Sequence, residues 1–175
     1  KIWEDWKKFA QYAFNKSHAT CYAWVGYQTG YLKAHYPAEY MSAVLSNNMN
    51  NMDEIAKFMD DIKKHDIKIL GPDVNESFTQ FTVNKQGNVR FGMAGIKGIG
   101  ENAVNSVIQE REANGIYKDV FDFIERVNLT TVNKKGIESL VGSGAFDCFQ
   151  EVNRGTFAVD LGKGETFADI LLRYG

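Results

Sequence analysis

The sequence predicts a mainly α-helical fold with a small β hairpin, and three observations support this prediction. Apolar residues recur at three- and four-residue spacing through the first 66 positions, which is typical of one face of a helix. Phe78, Phe81 and Val83 then alternate before a turn at residues 84–87, after which Val89 begins a second short strand. Beyond this hairpin the helical spacing returns, and it is twice interrupted by a pair of glycines.

Four helices are predicted before residue 67. The first has one apolar face, made of Trp3, Trp6, Phe9, Ala10 and Ala13. The second follows "NKSH" and ends at "HYP", because the residue before a proline disfavours the helical conformation. Pro37 opens the third, whose inward positions are Tyr40, Met41, Val44 and Leu45. The fourth covers "MDEIAKFMDDIKKH", with acidic residues at its start and basic residues at its end.

Further helices are predicted after the hairpin. "ENAVNSVIQEREANG" reads as a helix that ends at Gly115. "DVFDFIERV" follows as a helix with Val120, Phe121, Ile124 and Val127 on one face. The short helix in "NKKGIESLVGSGAFD" contains Gly136, which we expect to weaken it. A last helix covers "GETFADILLRYG".

Composition excludes several classes of protein. The chain has 175 residues, of which 44% are hydrophobic and 24% charged, as in globular proteins with one core or two small ones. No apolar run approaches the roughly 18 residues of a membrane span, and the first residues are an amphipathic helix rather than a signal peptide. Cys21 and Cys148 are far apart, so neither a disulfide framework nor a zinc site is indicated. We therefore expect a cytoplasmic protein with no membrane partner and no bound metal.

The formal net charge of −2 argues against nucleic-acid binding through bulk positive charge, so any such contact must be local. The chain also opens inside a helical pattern without an initiator Met, which favours a piece of a larger protein.

Two glycine corners are the candidate nucleic-acid contacts. The first contains Gly98, Ile99 and Gly100, and the second contains Gly142, Ser143 and Gly144. Each reads as helix, glycine hairpin, helix, an arrangement that leaves the first amides of the second helix free to bind a phosphate. Lys97 lies beside the first corner, and Lys134 and Lys135 lie on the predicted helix before the second, where they would add positive charge to the same contact. Such contacts hold the nucleic-acid backbone and read no sequence.

A structural interpretation of the glycines stays open, because glycine also caps helices and permits close packing. One copy alone favours that interpretation, and the second copy shifts the balance towards phosphate binding. "GIKGIGENAV" does not match the spacing of a dinucleotide-binding fingerprint, and it lacks the Lys-Ser/Thr end of a P-loop. It resembles the helix-hairpin-helix motif, whereas "LVGSGAFD" has Ser143 in place of the central isoleucine.

A second candidate site lies near the predicted start of the second helix. Lys16, Ser17, His18 and Tyr22 fall within seven positions. If Ser17 caps the helix, Lys16 and His18 lie beside its positive end, which suits a polyphosphate, and Tyr22 follows one turn later. The alternative is that Lys16 is solvated, His18 is a satisfied buried histidine and Tyr22 belongs to the core.

Several segments, in this order, resemble one family. They are "FNKSHATCYAWVGYQTGYLKAHYPAEYMSAVLSNN", "GPDVNES", "RFGMAGIKGIGENAV" and "SLVGSGAFD". Together they are similar to the alpha subunits of bacterial replicative DNA polymerase III, the family C polymerases. The resemblance runs from about Phe14 to Asp147, which is most of the chain.

This resemblance implies an organisation and a set of roles. Residues 1–66 would be the end of the fingers domain, 67–93 a connector with the β hairpin, 94–150 a tandem helix-hairpin-helix module and 151–175 a helical extension. Lys16, Ser17, His18 and Tyr22 would lie near the incoming deoxynucleotide, while the two glycine corners would grip duplex DNA. Other replication proteins would be partners of the whole polymerase.

The polymerase reaction needs carboxylates that hold two metal ions, and in the family these lie in the palm domain. Asp60 and Asp61 read instead as a solvated helix face. Mg²⁺ is therefore expected for the parent polymerase, and the fragment alone is expected to bind DNA without extending it. Two rival interpretations are a free-standing helix-hairpin-helix adaptor and a fragment of a DNA repair nuclease or ligase. Neither explains the block "FNKSHA...YQTGYLKAHYP".

Overall fold

The computed structural model describes residues 1–12, 16–159 and 165–175. Within these ranges the chain is mainly helical, with short strands between the fourth and fifth helices, which confirms the predicted fold class. The helices are α1 (Ile2–Tyr12), α2 (Lys16–His35), α3 (Pro37–Asn47), α4 (Met52–Lys63), α5 (Glu101–Asn114), α6 (Val120–Arg126), α7 (Lys134–Ser143), α8 (Arg154–Ala158) and α9 (Phe167–Tyr174). The strands are β1 (Ile69–Leu70), β2 (Thr82–Val83) and β3 (Val89–Arg90), and a 3₁₀ turn follows at Met93–Gly95.

The strands form one small sheet in the order β1-β3-β2. The predicted hairpin is confirmed, since β2 and β3 are antiparallel. Its turn depends on Asn84, whose side chain accepts hydrogen bonds from the amides of Gln86 and Asn88. Strand β1 pairs in parallel with β3, a pairing between distant segments that is visible only in the fold.

A first core joins α3 and α4 to the sheet. Its buried members are Ala38, Met41, Leu45, Ile55, Ile62, Phe81 and Val89. Of the predicted inward positions on α3, Met41 and Leu45 are buried, while Tyr40 and Val44 are half-buried. Sequence reasoning missed Ser42, which is buried because its hydroxyl donates to the carbonyl of Phe81 at 2.7 Å.

The large apolar residues of α2 are exposed, and so are Trp3, Trp6 and Phe9 of α1. Trp3, Trp6 and Phe9 are 67%, 69% and 74% exposed, and α2 has no buried residue. The spacing therefore predicted the helices correctly but not a covered face, and Ala13 lies outside the described residues. Among those that are described, no helix is long and apolar enough to cross a bilayer.

An ion pair connects α2 to α4. The ammonium of Lys33 donates to Asp61 at 2.5 Å, and this hydrogen bond lowers the pKa of the carboxyl from its usual value. Asp60 pairs instead with Lys63 on its own helix, where both side chains are exposed. The predicted solvated face is thus found for Asp60, while Asp61 bridges two helices.

A second and larger core lies among α5 to α9. Its central side chains include Val104, Phe123, Leu140 and Leu171, each at most 1% exposed. The apolar face predicted for α6 was wrong at one position, because Phe123 is buried and Phe121 is 40% exposed. The segment 151–175 contributes three buried side chains to this same core, those of Phe157, Ala168 and Leu171.

The loop "GPDVNES" connects the sheet to the second core. Val74 is fully buried, and its amide donates to the carbonyl of Ala145 at 3.0 Å. Asn75 exchanges two hydrogen bonds with the backbone of Tyr117, at 2.8 and 2.9 Å. The hydroxyl of Ser77 donates to the carbonyl of Phe91 at 2.7 Å. These bonds hold the end of β3 against the helices that follow.

Gly92 sets the path of the chain from β3 to α5. A Cβ at this position would lie 2.5 Å from the carbonyl carbon of Gln80 and 2.7 Å from the amide nitrogen of Phe81, which are backbone atoms. We predict that Gly92→Ala lowers the free energy of unfolding by about 1–3 kcal/mol, since the backbone must shift. Urea denaturation measures the change.

Gly71→Ala is the matched control, because a Cβ there meets nothing within 4 Å. Its free energy of unfolding should stay within about 0.5 kcal/mol of the parent value. Equal stability of the two variants would contradict the close approach at Gly92.

Candidate nucleic-acid interface

The first glycine corner is anchored by two isoleucines, Ile96 just before it and Ile99 within it. Ile96 and Ile99 are only 7% and 8% exposed, and both belong to the second core. Lys97, Gly98 and Gly100 are exposed between and beside them. The side chain of Ile99 is therefore not available to a ligand, and its amide donates to the carbonyl of Ile96 at 3.5 Å. The element before the corner is a 3₁₀ turn, where the sequence predicted a full helix.

Gly100 is the N-cap residue of α5, and no side chain caps this end of the helix. Its backbone is extended, with φ of −83°, and a Cβ built on it meets nothing within 4 Å. Neither conformation nor internal packing thus requires glycine here. The helix begins with amides that have no intrahelical partner, on a side where the backbone is open to approach.

Gly98 is required by the fold for two reasons. Its φ is +99°, a conformation that residues with a side chain rarely adopt. A Cβ at this position would also lie 2.5 Å from Oγ of Ser139 and 3.7 Å from Cε of Lys135. The corner therefore packs directly on α7, and the tertiary fold places Lys135 beside Gly98.

Helix α7 forms in spite of its glycine. Asn133 caps it by accepting a hydrogen bond from the amide of Gly136 at 3.1 Å. Gly136 is buried, and a Cβ there would lie 3.9 Å from a side-chain carbon of Ile99, at ordinary contact distance. The expected weakness of this helix is offset by the cap and by its packing on the corner.

The two adjacent lysines of α7 differ in their partners. The ammonium of Lys134 lies 2.5 Å from Asp169 on α9 and 3.9 Å from Glu138. The hydrogen bond to Asp169 raises the pKa of Lys134, and the pKa of Asp169 is held well below its usual range, first by Lys134 and then by Thr166. Lys97 and Lys135 have no ion-pair partner within the described ranges, so their charges are available to a ligand.

The second corner differs from the first. Gly142 and Ser143 lie in the last turn of α7, and Gly144 is its C-cap with φ of +87°. The amides of Gly144 and Ala145 donate to carbonyls within α7, so they are not free. The expectation that a helix begins directly after this corner is wrong, since the next helix starts at Arg154. Glycine at a C-cap and glycine in a hairpin give the same short pattern, and only the fold distinguishes them.

Gly142 and Gly144 have different surroundings. Gly142 is exposed, and a Cβ there meets nothing within 4 Å. Gly144 is buried beside the ion pair of Arg154 with Asp147, which would clash with any side chain. The backbone conformation and packing of Gly144 require glycine, whereas the space around Gly142 would accommodate a side chain. Contact of this second corner with DNA stays a prediction.

The amino-terminal candidates lie together on α2. Lys16 is its first residue, and Lys16, Ser17 and His18 are exposed. Tyr22 is 67% exposed, and its ring centroid lies 4.4 Å from that of His18. The alternative of a buried His18 and a core Tyr22 is therefore wrong for this chain. Ser17 is not the N-cap residue, because the helix already includes Lys16, and residues 13–15 lie outside the described part.

Sequence reasoning missed Ser139. The only signal in the sequence is its position four residues after Lys135, which places both on one face of α7. Its contact with Gly98 joins residues far apart in the chain and depends on the tertiary fold. In the described part of the chain, no group of three or more His, Cys, Asp or Glu residues is placed to hold a metal ion.

Comparison with known proteins identifies two kinds of similarity. A family model described as a helix-hairpin-helix motif matches residues 66–157. The DNA polymerase III subunit alpha of Pasteurella multocida is 46% identical over 147 residues, which is 84% of this chain and 13% of that subunit. The same subunit of Neisseria meningitidis serogroup A is 41% identical over 169 residues, 97% of this chain and 15% of the subunit. The chain thus spans only 13–15% of the length of these relatives.

The pairing of Asp169 with Lys134 leads to a prediction about pH. The lowered pKa of Asp169 means that its ionised form stabilises the fold above the unfolded-state pKa of about 3.9. We expect Asp169→Asn to melt at a lower temperature than the parent protein near neutral pH. The difference should shrink as the pH falls through about 4 and below, because the parent carboxyl then becomes protonated.

Melting curves followed by circular dichroism across this pH range test the prediction. The asparagine retains an oxygen that can accept the hydrogen bonds of Thr166, so the helix cap is kept. A difference in melting temperature that is constant with pH would mean that the ionised pair does not stabilise α9 against α7.

Proposed function

This chain belongs to the helix-hairpin-helix family and is homologous to a segment of the DNA polymerase III alpha subunit, and from that premise we propose that it grips the backbone of duplex DNA. The first glycine corner, with Lys97 beside it, would bind phosphates without reading base sequence. The similarity to polymerase subunits extends through the amino-terminal helices, which favours this proposal over an adaptor or a repair enzyme.

One observation supports this proposal most strongly. Gly100 has an extended backbone and open space around its missing side chain, so the fold alone would tolerate other residues there. A residue that caps a helix with a side chain, such as serine, would in fact suit an N-cap better than glycine. Glycine leaves the first amides of α5 accessible to a phosphate oxygen, at the positive end of the helix dipole.

Local charge supports the same contact. Lys97 and Lys135 are exposed and lie on the corner and on the helix packed against it. Glu101 places a carboxylate in the first turn of α5, so these two cations must offset its repulsion of an anion. Because the chain is negative overall, attraction to DNA is confined to this small surface and involves few phosphates.

We also propose that the exposed group at the start of α2 contacts the incoming nucleotide in the whole polymerase. Lys16 and His18 lie in the first turn, where the helix dipole favours an anion such as a triphosphate. Tyr22 is exposed one turn later and is in contact with His18, so a flat aromatic surface adjoins the charged turn. Residues up to about 66 would then be part of the fingers.

The chemical step of the polymerase is assigned to residues outside this segment. Metal-assisted phosphoryl transfer requires clustered carboxylates, and the fragment's adjacent pair Asp60 and Asp61 is engaged with Lys63 and Lys33. These residues do not fit a two-metal site. We infer that Mg²⁺ is held elsewhere in the whole polymerase and that the isolated chain binds DNA without extending a primer.

Binding to duplex DNA should be non-specific and dependent on salt. Fluorescence anisotropy with a labelled duplex should give a slope of log affinity against log salt on the order of −2 to −4, because few phosphates are neutralised. Lys97→Ala and Lys135→Ala should each make the slope shallower by about 0.9. Lys134→Ala should change the slope less, since Asp169 already neutralises that ammonium. Strong preference for one duplex sequence would contradict the proposal.

Gly100→Ser separates DNA binding from stability. Serine caps helices at least as well as glycine, so the melting temperature should stay equal or rise slightly. The serine oxygen would accept a hydrogen bond from a backbone amide that otherwise faces the phosphate. Affinity for the duplex should therefore fall by about tenfold. Anisotropy and thermal melts on the same samples measure both effects. Undiminished affinity in this variant would mean that the corner is only a tight turn.

A further inference from the structure

We propose that Ser139 is a further phosphate-contact residue, whose hydroxyl donates a hydrogen bond to the phosphate held at the first glycine corner. The inference rests on the proposed binding of duplex DNA and names a residue on a different helix that completes the site. Its ligand is an oxygen of a DNA phosphodiester.

Position is the first argument. The hydroxyl of Ser139 occupies the space that a side chain at residue 98 would fill, 2.5 Å from the ideal Cβ position. Gly98 is exposed and Ser139 is half-buried, so the hydroxyl lies at the edge of the corner and not inside the core. A ligand that approaches the open side of Gly100 and the solvent-exposed part of Gly98 would meet this oxygen on the side of α7.

The second argument is that the hydroxyl is available. Serine within a helix commonly donates to a carbonyl one turn earlier, as Ser46 does to Ser42 at 2.8 Å. Ser143, one turn after Ser139 on the same helix, donates to Leu140 at 2.9 Å. In the ranges that the structure describes, Ser139 has no such hydrogen bond. Its proton is free to be donated to a ligand.

Charge and spacing complete the argument. Lys135 lies one turn before Ser139 on the same face of α7, and its Cε is 3.7 Å from the ideal Cβ position of Gly98. The corner thus combines an ammonium, a hydroxyl and helix-end amides around one opening. When the ammonium binds a phosphate, a counterion is released from the DNA. The neutral hydroxyl adds a directional hydrogen bond to the phosphate without releasing a counterion.

The test compares serine variants in a titration of a short fluorescein-labelled duplex. Ser139→Ala should weaken binding about three- to tenfold while the salt slope stays at the parent value. Ser139→Asp should weaken it more, because a carboxylate would face the phosphate. Ser106→Ala, on α5, is the control, since Ser106 is also a half-buried helical serine but is not among the side chains nearest the ideal Cβ position of Gly98 or Gly100.

The outcomes are distinguishable. If the parent chain and Ser106→Ala bind the duplex and Ser139→Ala binds equally well, the role of Ser139 is overturned while the proposed function stands. If the parent chain does not bind the duplex at all, both proposals fail together. Weaker binding by Ser139→Ala with an unchanged melting temperature and an unchanged salt slope supports the contact. If Ser139→Ala lowers both the affinity and the melting temperature, the loss of binding reflects a less stable fold, and this result contradicts the proposed contact.

Discussion

A buried arginine holds the two halves of this fold in register. Arg111 is 7% exposed, and its Nη1 donates to the carbonyls of Val74 and Ser77 at 2.9 and 2.8 Å. Its guanidinium also lies 5.0 Å from the ring centroid of Phe78. Burial lowers the pKa of this group from its ordinary value, yet arginine stays protonated at physiological pH. A buried charge without partners costs several kcal/mol, so the "GPDVNES" loop cannot leave α5 without a large penalty.

This constraint positions the candidate site. In the loop that Arg111 holds, the hydroxyl of Ser77 also donates a hydrogen bond to the carbonyl of Phe91, just after β3. The next residue, Gly92, lies close to the backbone of Gln80. The chain therefore reaches the 3₁₀ turn in one orientation. From there Ile96 and Ile99 enter the second core and leave Lys97 and Gly98 exposed. Lys97 and Gly98 are thus exposed between two buried isoleucines, which fix the position of this part of the corner.

Helix α7 is the other support of the site, and its faces have separate roles. Ile137, Leu140 and Val141 pack in the core, while Lys135 and Ser139 lie along the glycine corner. Lys134 points to Asp169 and connects the helix to α9. Lys134 and Lys135 differ in their partners because consecutive residues point in different directions around a helix. The ammonium of Lys134 reaches the carboxylate of Asp169, and Lys135 is exposed. Residues near the end of the chain thus affect the position of a site that is distant in sequence.

Local pattern alone predicted most of the described helices, though not α8, together with the hairpin at residues 82–90 and the position of the first glycine corner, because periodicity, caps and turn residues act over a few neighbouring positions. Local pattern could not determine that Phe123 is buried in place of Phe121, or that Gly144 ends a helix, because both depend on what packs against α6 and α7. Tertiary structure also decided which lysine is paired and placed Ser139 at Gly98. These outcomes depend on contacts between residues distant in the chain, and no short-range rule specifies such contacts.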